Sequence, residues 1–423
     1  FEQAGAQERA FWEQPQERFS LVAVGAAAHL IGWGSERFAQ VAAGWRHLMS
    51  GAIVESAGTC PLSAPVALGG FAFDTSRGGD AAWGDYPDAL LTVPRILFVF
   101  RDGSSWLVAS ALVTSGCDGE AEVEAMAADL RRLLADGDGV PAREDPVGPI
   151  DLEDGDGQRW REAVAAVVRE VQAGAIQKLV LARRVRACAD GPLAPGPVLR
   201  RLREGYGGCT IFAFARGGSC FLGATPERLV RLDGRAVRAD CLAGSAARGA
   251  TEEEDRSLGA ALLADGKEWH EHALVVDALR EALGPLCASL SVPEGPRILR
   301  MPNVQHLHTP VEGVLTDERH ILELAARLHP TPAAGGLPQG VALSLIRSYE
   351  PFERGWYAGP VGWIDGRGAG EFDVAIRSAL VRESEAFLYA GCGIVAGSDP
   401  DREYQESCLK LQPMLWAING KAS

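Results

Sequence analysis

The feature that most constrains the fold of this 423-residue chain is a succession of short apolar runs joined by turns. CTIFAFARG and CFLGATPERLVRL follow each other within Cys209–Leu232, and FSLVAVGAAAHLIGWG covers Phe19–Gly34. Apolar runs of this length bounded by glycine are typical of strands, and FSLVAVGAAAHLIGWG (Phe19–Gly34) predicts a hairpin. Further strands are predicted at Leu68–Asp74, Arg95–Phe100, Arg297–Val314, Gly355–Leu380 and Ala386–Val395. Hairpin-joined strands with helices outside them favour an α+β fold over a parallel βαβ sheet.

Amphipathic segments between these runs predict the helices. Ser35–Gly51 and Gln158–Gly174 are two of them, and a third begins near Ala121. The stretch Thr251–Leu283 predicts one long helix, with Thr251 and Glu254 as a capping box at its start. The last helix is predicted to begin at Asp399-Pro400, a capping residue followed by proline at the first helical position.

A stretch rich in glycine, proline and acidic residues, Asp136–Gly157, is the best internal boundary, although a long loop is the alternative. It divides the chain into residues 1–150 and residues 151–423. We expect the first part to belong to the same structural domain as the second, which holds most of the candidate site residues.

Charge and hydropathy exclude several classes of partner. The formal net charge of −15 argues against nucleic acid or an anionic membrane as the main partner. No apolar run reaches the roughly 18 residues of a membrane span, because ALLTVPRILFVF (Ala89–Phe100) is broken by Pro94 and Arg95. Nine cysteines without a C-x-x-C motif, and no signal peptide, lead us to expect reduced thiols and a cytoplasmic location.

Lysine is scarce, which makes each lysine informative. Of 41 lysines and arginines only four are lysine, namely Lys178, Lys267, Lys410 and Lys421. Arginine stays protonated in proteins, whereas a desolvated lysine can lose its proton. Lys178 lies in an apolar strand, AIQKLVLARR, where burial would disfavour the charged ammonium and produce a general base. The alternative is a solvated lysine that points outward from an edge strand.

Glu227 is a candidate acid because it follows the turn Thr225-Pro226 at the start of a strand. A carboxyl group in a closed, partly apolar site stays protonated to higher pH and can donate a proton. The alternative is an ordinary surface glutamate paired with Arg228 or Arg231.

Two pairs of glutamates lie three residues apart in predicted helices, Glu268 with Glu271 and Glu403 with Glu406. Residues at this spacing share one helix face. If the two helices face each other, the four carboxylates form an all-oxygen site suited to Mg²⁺. A lysine near each pair, Lys267 or Lys410, could hold a substrate carboxylate or balance charge. The alternative for each pair is a solvated helix face.

The run GCGIVAGSDPDREYQE (Gly391–Glu406) predicts a glycine-rich loop before the last helix, whose amides could bind an anion. The spacing and the position near the C-terminus do not fit a dinucleotide site. The histidines in HEH (His270–His272) and HLH (His306–His308) lack zinc-ligand spacing. Arg377, within the apolar run FDVAIRSALV, requires an anion, either an internal salt-bridge partner or a ligand carboxylate.

Taken in order, eight segments between Gln158 and the C-terminus resemble the chorismate-utilising enzymes, a family that includes isochorismate, salicylate, anthranilate and aminodeoxychorismate synthases. The segments are IQKLVLARR, FLGATPERLVR, CLAGSAARG, KEWHEHALVV, HPTPAAGGLP, GWYAGPVGW, EFDVAIRSAL and GCGIVAGSDPDREYQESCLKL. FWEQP, LVAVGAAA and ALGGFAFD are more loosely similar to menaquinone-type isochorismate synthases. The resemblance implies an α+β fold with a large antiparallel β-sandwich core and helices packed outside.

The resemblance also separates the subfamilies. Its water-using members have lysine at the position of Lys178, and its ammonia-using members have glutamine. Aminodeoxychorismate synthase has a nucleophilic lysine where this chain has Ala243, before Gly244-Ser245. Ser245 replaces a common threonine and keeps the hydroxyl. Members that also eliminate pyruvate tend to have threonine at the position of Ala333. The implied activity is that of an isochorismate synthase; a salicylate synthase and a non-catalytic chorismate-binding protein are the alternatives.

By this resemblance, Lys178 removes a proton from the water that attacks C2 of chorismate, and Glu227 protonates the departing C4 hydroxyl. The implied cofactor is Mg²⁺ on the ring carboxylate, with Glu271 and Glu406 as direct ligands and Glu268 and Glu403 nearby. The implied substrate-binding residues are Gly244, Ser245, His306, Ala333, Tyr357, Arg377, Gly391, Gly393 and Lys410. The enolpyruvyl carboxylate would be held by Tyr357, by Arg377 and by the amides around Gly391 and Gly393.

The expected partner is therefore the small molecule chorismate. No amidotransferase subunit is expected, and a monomer is favoured over an oligomer. The residues leave open whether the product enters menaquinone, siderophore or salicylate biosynthesis, although the N-terminal segments lean towards menaquinone.

Overall fold

A computed structural model describes residues 1–5, 7–56, 60–75, 80–135, 150–154 and 157–420. Most of the boundary predicted at Asp136–Gly157 lies outside the described residues. The strands are β1 (Arg9–Gln14), β2 (Phe19–Val24), β3 (Ala28–Gly32), β4 (Val66–Phe71), β5 (Ala89–Val93), β6 (Ile96–Arg101), β7 (Ser104–Ala109), β8 (Ile150–Asp154), β9 (Lys178–Ala189), β10 (Thr210–Arg216), β11 (Ser219–Thr225), β12 (Arg228–Asp233), β13 (Ala236–Ala247), β14 (Cys287–Ser291), β15 (Arg297–Arg300), β16 (Val304–Leu315), β17 (Gly336–Leu337), β18 (Pro360–Asp365), β19 (Gly370–Val374), β20 (Ser378–Arg382) and β21 (Glu385–Ile394). The helices are α1 (Arg37–Ser50), α2 (Gly119–Ala135), α3 (Gly157–Gln172), α4 (Pro195–Gly205), α5 (Glu252–Ala264), α6 (Gly266–Leu283), α7 (Ile321–Leu328), α8 (Gln339–Tyr349) and α9 (Pro400–Asn419).

These strands form two large antiparallel sheets. The first has the order β17-β9-β21-β20-β11-β10-β1-β2-β6-β7, with β8 also paired to β9. The second has the order β14-β16-β13-β12-β19-β18-β4-β5-β3, with β15 also paired to β16. Strands from the first 110 residues enter both sheets, so each sheet is built from both ends of the chain.

The main hydrophobic core lies between the two sheets. Trp12 and Phe212 of the first sheet share one buried cluster with Leu68 and Phe372 of the second. A second cluster packs α4 and α9 against the first sheet, while α5 and α6 contact β13 of the second. The predicted α+β sandwich with helices outside is confirmed.

The strands β10 and β11 form a tight hairpin through Gly217 and Gly218. Both glycines have positive φ, 57° and 90°. A two-residue hairpin turn of this hand requires positive φ at both positions, which glycine adopts without strain. This hairpin carries the chain directly to the turn before Glu227.

The hairpin predicted at Phe19–Gly34 is wrong. The strand β2 pairs with β1 and β6 in the first sheet, whereas β3 pairs with β5 in the second. The run Ala89–Phe100 likewise separates at Pro94 into β5 and β6, which lie in different sheets. A strand buried in a sandwich has the same apolar pattern in either sheet, so the sequence does not report which sheet it joins.

The single helix predicted over Thr251–Leu283 is also wrong, because the chain forms α5 and α6 with a break at Asp265. Asp265 has extended backbone angles, φ −77° and ψ 112°, and its carboxylate accepts hydrogen bonds from the amides of Lys267 and Glu268. The predicted cap at Thr251 is confirmed, since its hydroxyl accepts the amide of Glu254 at 3.2 Å. The break places Glu268 in the first turn of its own helix.

The start predicted for the last helix is confirmed. The Asp399 carboxylate accepts the amides of Asp401 and Arg402, and Pro400 occupies the first helical position. Among the helices of the described ranges, none combines the length and apolarity that crossing a membrane requires.

Candidate active site

A cavity of about 620 Å³, part of it open to solvent, collects most of the residues singled out in the sequence. Its lining includes Glu227, Gly244, Ser245, Glu271, His306, Ala333, Tyr357, Arg377, Gly391, Gly393, Glu406 and Lys410. Glu268 and Glu403 line an adjoining cavity of about 760 Å³, and Ser245 and Glu406 line both cavities. Segments far apart in the chain therefore meet at one place.

Lys178 is fully buried at the start of β9, between β17 and β21. Its Nζ lies 2.9 Å from Glu271 Oε1, an ion-pair distance without the alignment of a hydrogen bond. The alternative of a solvated lysine on an edge strand is therefore wrong.

Gly393 makes room for this pair. A Cβ at Gly393 would lie 2.1 Å from Glu271 Oε1 and 2.9 Å from Lys178 Cε. Carbon and oxygen atoms cannot approach so closely, so a side chain at this position would displace the pair. Because Gly393 of β21 has no side chain, Lys178 and Glu271 have the space to lie against each other.

Glu227 is buried in the short segment between β11 and β12. Its carbonyl accepts the amide of Val374 at 2.9 Å, which fixes the backbone. Burial raises the pKa of the Glu227 carboxyl from 4.5 to about 8, although the charges of Lys178 and Arg377 oppose the shift. Glu227 is therefore mostly protonated at neutral pH, and the alternative of a surface glutamate is wrong.

The four glutamates of α6 and α9 face lysines. Lys267 Nζ lies 2.9 Å from Glu403 Oε1 and 3.1 Å from Glu268 Oε1, so it bridges the two helices. Lys410 Nζ lies 2.6 Å from Glu406 Oε1. Together with the contact between Lys178 and Glu271, three of the four lysines in the chain lie against this acidic group.

The carboxylates also perturb one another. Burial and the charge of Glu271 raise the pKa of Glu268 to about 6, and burial and the charge of Glu406 raise the pKa of Glu403. Burial alone would also raise the pKa of Glu406, but the adjacent Lys410 ammonium outweighs it and the pKa falls. Glu403 and Glu406 each offer a carboxylate oxygen within 4.8 Å of the other, and carboxylate oxygens are the donors that Mg²⁺ prefers.

One further observation bears on a cation. Glu403 is 2% exposed, and its Oε2 has no well-formed hydrogen bond within the described residues. Because an unpaired buried carboxylate oxygen is costly, a metal ion would stabilise it. The residues present therefore fit Mg²⁺.

Arg377 is buried in the turn between β19 and β20, with φ +52°. It forms no ion pair among the described residues, and its guanidinium donates to His306 Nε2 at 3.1 Å. Burial lowers the pKa of Arg377, as expected for a cation removed from water without a carboxylate partner. Of the two alternatives in the sequence, the internal salt bridge is wrong, and a ligand anion is left.

His306 links Arg377 to the bulged strand β13. Its Nδ1 lies 3.0 Å from Ser245 Oγ and 3.3 Å from the carbonyl of Gly244. Because Nε2 accepts from the arginine, the proton of the neutral ring lies on Nδ1. Burial holds the pKa of His306 well below its usual value, so the ring stays neutral and does not repel an anion.

The bulge itself depends on Gly244. Pairing between β13 and β16 shifts between Leu242 and Ser245, and Gly244 has φ +84°. The amide of Ser245 consequently donates to Glu268 Oε2 at 3.2 Å. This backbone irregularity joins the wall of the cavity to the acidic group.

Gly391 and Gly393 lie in the strand predicted at Ala386–Val395, so the glycine-rich loop predicted to begin at Gly391 is wrong for these two residues. They belong to β21, where they pair with Ala182 and Val180 of β9. The carbonyl of Gly391 accepts Lys410 Nζ at 2.9 Å. The pairing of β21 with β9 continues through both glycines. Ligand binding by the amides of Gly391 and Gly393 stays a prediction.

Tyr357 closes another side of the cavity. Its ring stacks on Tyr389 with centroids 4.9 Å apart, and a Cβ at Gly391 would lie 3.3 Å from its hydroxyl. Burial raises the pKa of Tyr357 to about 12, so the hydroxyl keeps its proton and can donate to an anion.

Arg354 and Glu350 were missed by the sequence analysis. Arg354 lines the cavity, pairs with both oxygens of Glu350, and donates to the carbonyls of Ala334 and Val180. Glu350 in turn accepts the amide of Ala182. The pair ties the segment that holds Ala333 to β9; the arginine adjacent to the GWYAGP motif was the available signal.

The fold and this site define a class of protein. A family profile described as "Chorismate binding enzyme" matches residues 1–419. The chain belongs to that family, and the resemblance seen in the sequence is confirmed.

Relatives within the family are also similar over most of their length. The chain is 42% identical over 415 residues to the salicylate biosynthesis isochorismate synthase of Pseudomonas aeruginosa, covering 97% of this chain and 84% of that protein. It is 37% identical over 420 residues to isochorismate synthase MenF of Bacillus subtilis, covering 98% and 88%. The solved structure of MenF, the menaquinone-specific isochorismate synthase of Escherichia coli, superposes with a TM-score of 0.80 at 26% identity, covering 98% and 90%.

Proposed function

We propose that this chain is an isochorismate synthase that converts chorismate into isochorismate with Mg²⁺. The observation that supports the proposal most is one cavity lined by a protonated Glu227, by Arg377, which forms no ion pair among the described residues, and by Glu271, whose Oε1 contacts the buried Lys178. The names of the relatives in Pseudomonas aeruginosa and Bacillus subtilis support the same reaction.

The two titratable side chains have complementary roles in the proposed step. Uncharged Lys178 takes a proton from a water molecule as the water oxygen forms a bond to C2 of chorismate. The ring double bonds shift, the bond between C4 and its hydroxyl breaks, and Glu227 donates its proton to the departing oxygen. One water enters and one leaves, so the reaction is an isomerisation. Positioned acid and base groups of this kind accelerate reactions by about 10²–10⁴-fold each.

Glu271 positions the base. Its Oε1 lies 2.9 Å from Lys178 Nζ, and this pair joins β9 to α6.

The glutamates Glu271 and Glu406, with Glu268 and Glu403 beside them, would hold Mg²⁺. When bound, the ion would neutralise the ring carboxylate of the substrate and orient the ring. The helices α6 and α9 already bring Glu268 and Glu403 to the same lysine, Lys267, at 3.1 Å and 2.9 Å.

The second carboxylate of chorismate would bind at Arg377. A buried guanidinium without a carboxylate partner binds an anion strongly, because a charge-assisted hydrogen bond compensates for the hydration that the guanidinium lost on burial. The Tyr357 hydroxyl, protonated through pH 7, supplies another donor in the same cavity.

Ala333 favours the isomerase over a salicylate synthase. It lines the cavity and offers no hydroxyl where family members that eliminate pyruvate tend to have threonine. The relative in Pseudomonas aeruginosa is itself named an isochorismate synthase of salicylate biosynthesis. Whether the product here enters salicylate, siderophore or menaquinone synthesis is separate from the chemistry of the site.

The test is incubation of the purified chain with chorismate and Mg²⁺, followed by chromatography and by salicylate fluorescence. Isochorismate without salicylate is expected; salicylate formed without an added lyase would reject the pure isomerase. Lys178→Ala should lose about 10²–10⁴-fold in turnover and still bind chorismate in calorimetry. A non-catalytic binding protein would instead show tight binding and no turnover in either form.

A further inference from the structure

Lys267 occupies an unusual position for a lysine. It lies in the first turn of α6, where the helix dipole disfavours a cation. Its ammonium nevertheless lies between a carboxylate of its own helix, Glu268, and Glu403 of α9, at 3.1 Å and 2.9 Å. The local helix therefore does not explain this lysine, whereas the two carboxylates do.

The three lysines of the acidic group differ in their freedom to move. Lys178 is fully buried, and Lys410 is held by Glu406 and by the carbonyl of Gly391. Lys267 has a side chain that is 27% exposed on the wall of the outer cavity, and the described residues offer its Nζ no ion pair beyond the two glutamates. Of these three side chains, that of Lys267 is the most exposed to solvent, since that of Lys410 is 11% exposed and that of Lys178 is 0% exposed.

The position of the charge points in the same direction. Of the three lysines, Lys267 is the one whose ammonium lies within ion-pair distance of two of the carboxylates, Glu268 and Glu403. When it leaves, both carboxylates lose the cation that they share, and a divalent cation can replace it. Lysine suits this exchange better than arginine, because its compact charge sits on a flexible stem and makes no bidentate pair.

We propose that Lys267 is a resident counter-cation, which bridges Glu268 and Glu403 in the metal-free protein and withdraws to solvent when a divalent cation binds. The inference rests on the metal site of the proposed function and adds a regulating residue to it. Because metal must displace an ion pair, Lys267 lowers the affinity of the free protein for metal. The same ion pair keeps buried carboxylates compensated when no metal is present.

Chemical labelling tests the displacement directly in the wild-type protein. Acetylation by an amine-reactive ester, read by mass spectrometry at Lys267 and normalised to a small amine in the same reaction, is compared with and without Mg²⁺. An amine held between two carboxylates is shielded from the reagent, so release of Lys267 from Glu268 and Glu403 should increase labelling severalfold. Unchanged labelling in protein that calorimetry shows to be saturated with Mg²⁺ would overturn the proposal.

Metal titration tests the energetic consequence. Lys267→Met should bind Mg²⁺ about tenfold or more tightly in calorimetry without chorismate, because a competing charge is gone. Arg402→Met is the matched control, since Arg402 lines the same outer cavity but forms no ion pair with either glutamate; its affinity should change by about twofold or less. Equal affinities for wild type and Lys267→Met would contradict the proposal.

The outcomes separate this inference from the function on which it rests. A protein that converts chorismate, but whose Lys267 labelling ignores bound metal, loses only the counter-cation role. A protein that binds no divalent cation in either form loses both the metal site and the counter-cation. If Lys267→Met does not fold, labelling of the wild type still decides.

Discussion

Glu227→Gln should stabilise the fold while it abolishes activity. The carboxyl is buried, and its pKa is raised from 4.5 to about 8 by removal from water. Glutamine has nearly the same shape and is neutral in both the folded and the unfolded chain. Keeping this carboxyl protonated destabilises the folded chain relative to the unfolded chain, and the substitution removes that destabilisation. It also removes the proton that the proposed reaction needs.

The size and sign of the effect follow from proton linkage. Between pH 4.5 and pH 8 the unfolded chain releases this proton and the folded chain retains it, so stability falls as pH rises. Each pH unit costs about 1.4 kcal/mol, which gives about 3 kcal/mol at pH 7 and about 5 kcal/mol above pH 8. The unfolding free energy of Glu227→Gln should therefore equal that of the wild type near pH 4.5, and should exceed it by about 3 kcal/mol at pH 7 and about 5 kcal/mol above pH 8.

Urea unfolding followed by tryptophan fluorescence, in metal-free buffer at several values between pH 5 and pH 8.5, measures the difference in unfolding free energy; the chain has ten tryptophans. Glu318→Gln, at an exposed glutamate, is the control and should show no growing advantage. A difference for Glu227→Gln that is the same at pH 5 and pH 8.5 would refute the reasoning, because the carboxyl would then ionise in the folded state as it does in water.

Three further outcomes are expected. Glu406→Gln should raise the Mg²⁺ concentration for half-maximal rate by about tenfold or more, and an unchanged metal titration would count against that ligand. Arg377→Met should raise KM for chorismate by about 10- to 100-fold through loss of a charged hydrogen bond, with a smaller effect on kcat; a normal KM in steady-state kinetics would reject the anion-binding role. Gly393→Ala should reduce kcat by a larger factor than it reduces the equilibrium constant for folding. The reason is that the new Cβ would displace the Glu271 oxygen 2.1 Å away. Gly340→Ala, where a Cβ meets nothing within 4 Å, should keep the normal rate.

Much of the local structure could be predicted because it depends on a few neighbouring residues. The cap at Thr251 and the cap at Asp399 with Pro400 after it are both confirmed, and the turn at Gly217-Gly218 between two predicted strands is equally local. In each, the hydrogen bond or the φ angle is decided by residues within about four positions, so the sequence pattern is sufficient.

The candidate site was predictable for a different reason. The order of eight motifs identified the family, and the scarcity of lysine directed attention to Lys178, Lys267 and Lys410, which all lie among the glutamates. Twelve of the fifteen residues named from the sequence line one cavity, a result that no single motif could give.

The sequence by itself determined the family, the α+β class, the helix caps and the residue types of the site. Only the tertiary structure decided that β2 and β3 belong to different sheets, that the Glu227 carboxyl keeps its proton, and that Arg377 has no carboxylate partner in the described part of the chain. The physical reason is distance along the chain: pairing partners and the exclusion of water come from residues hundreds of positions away. A local pattern reports which groups are present, and packing decides their charge.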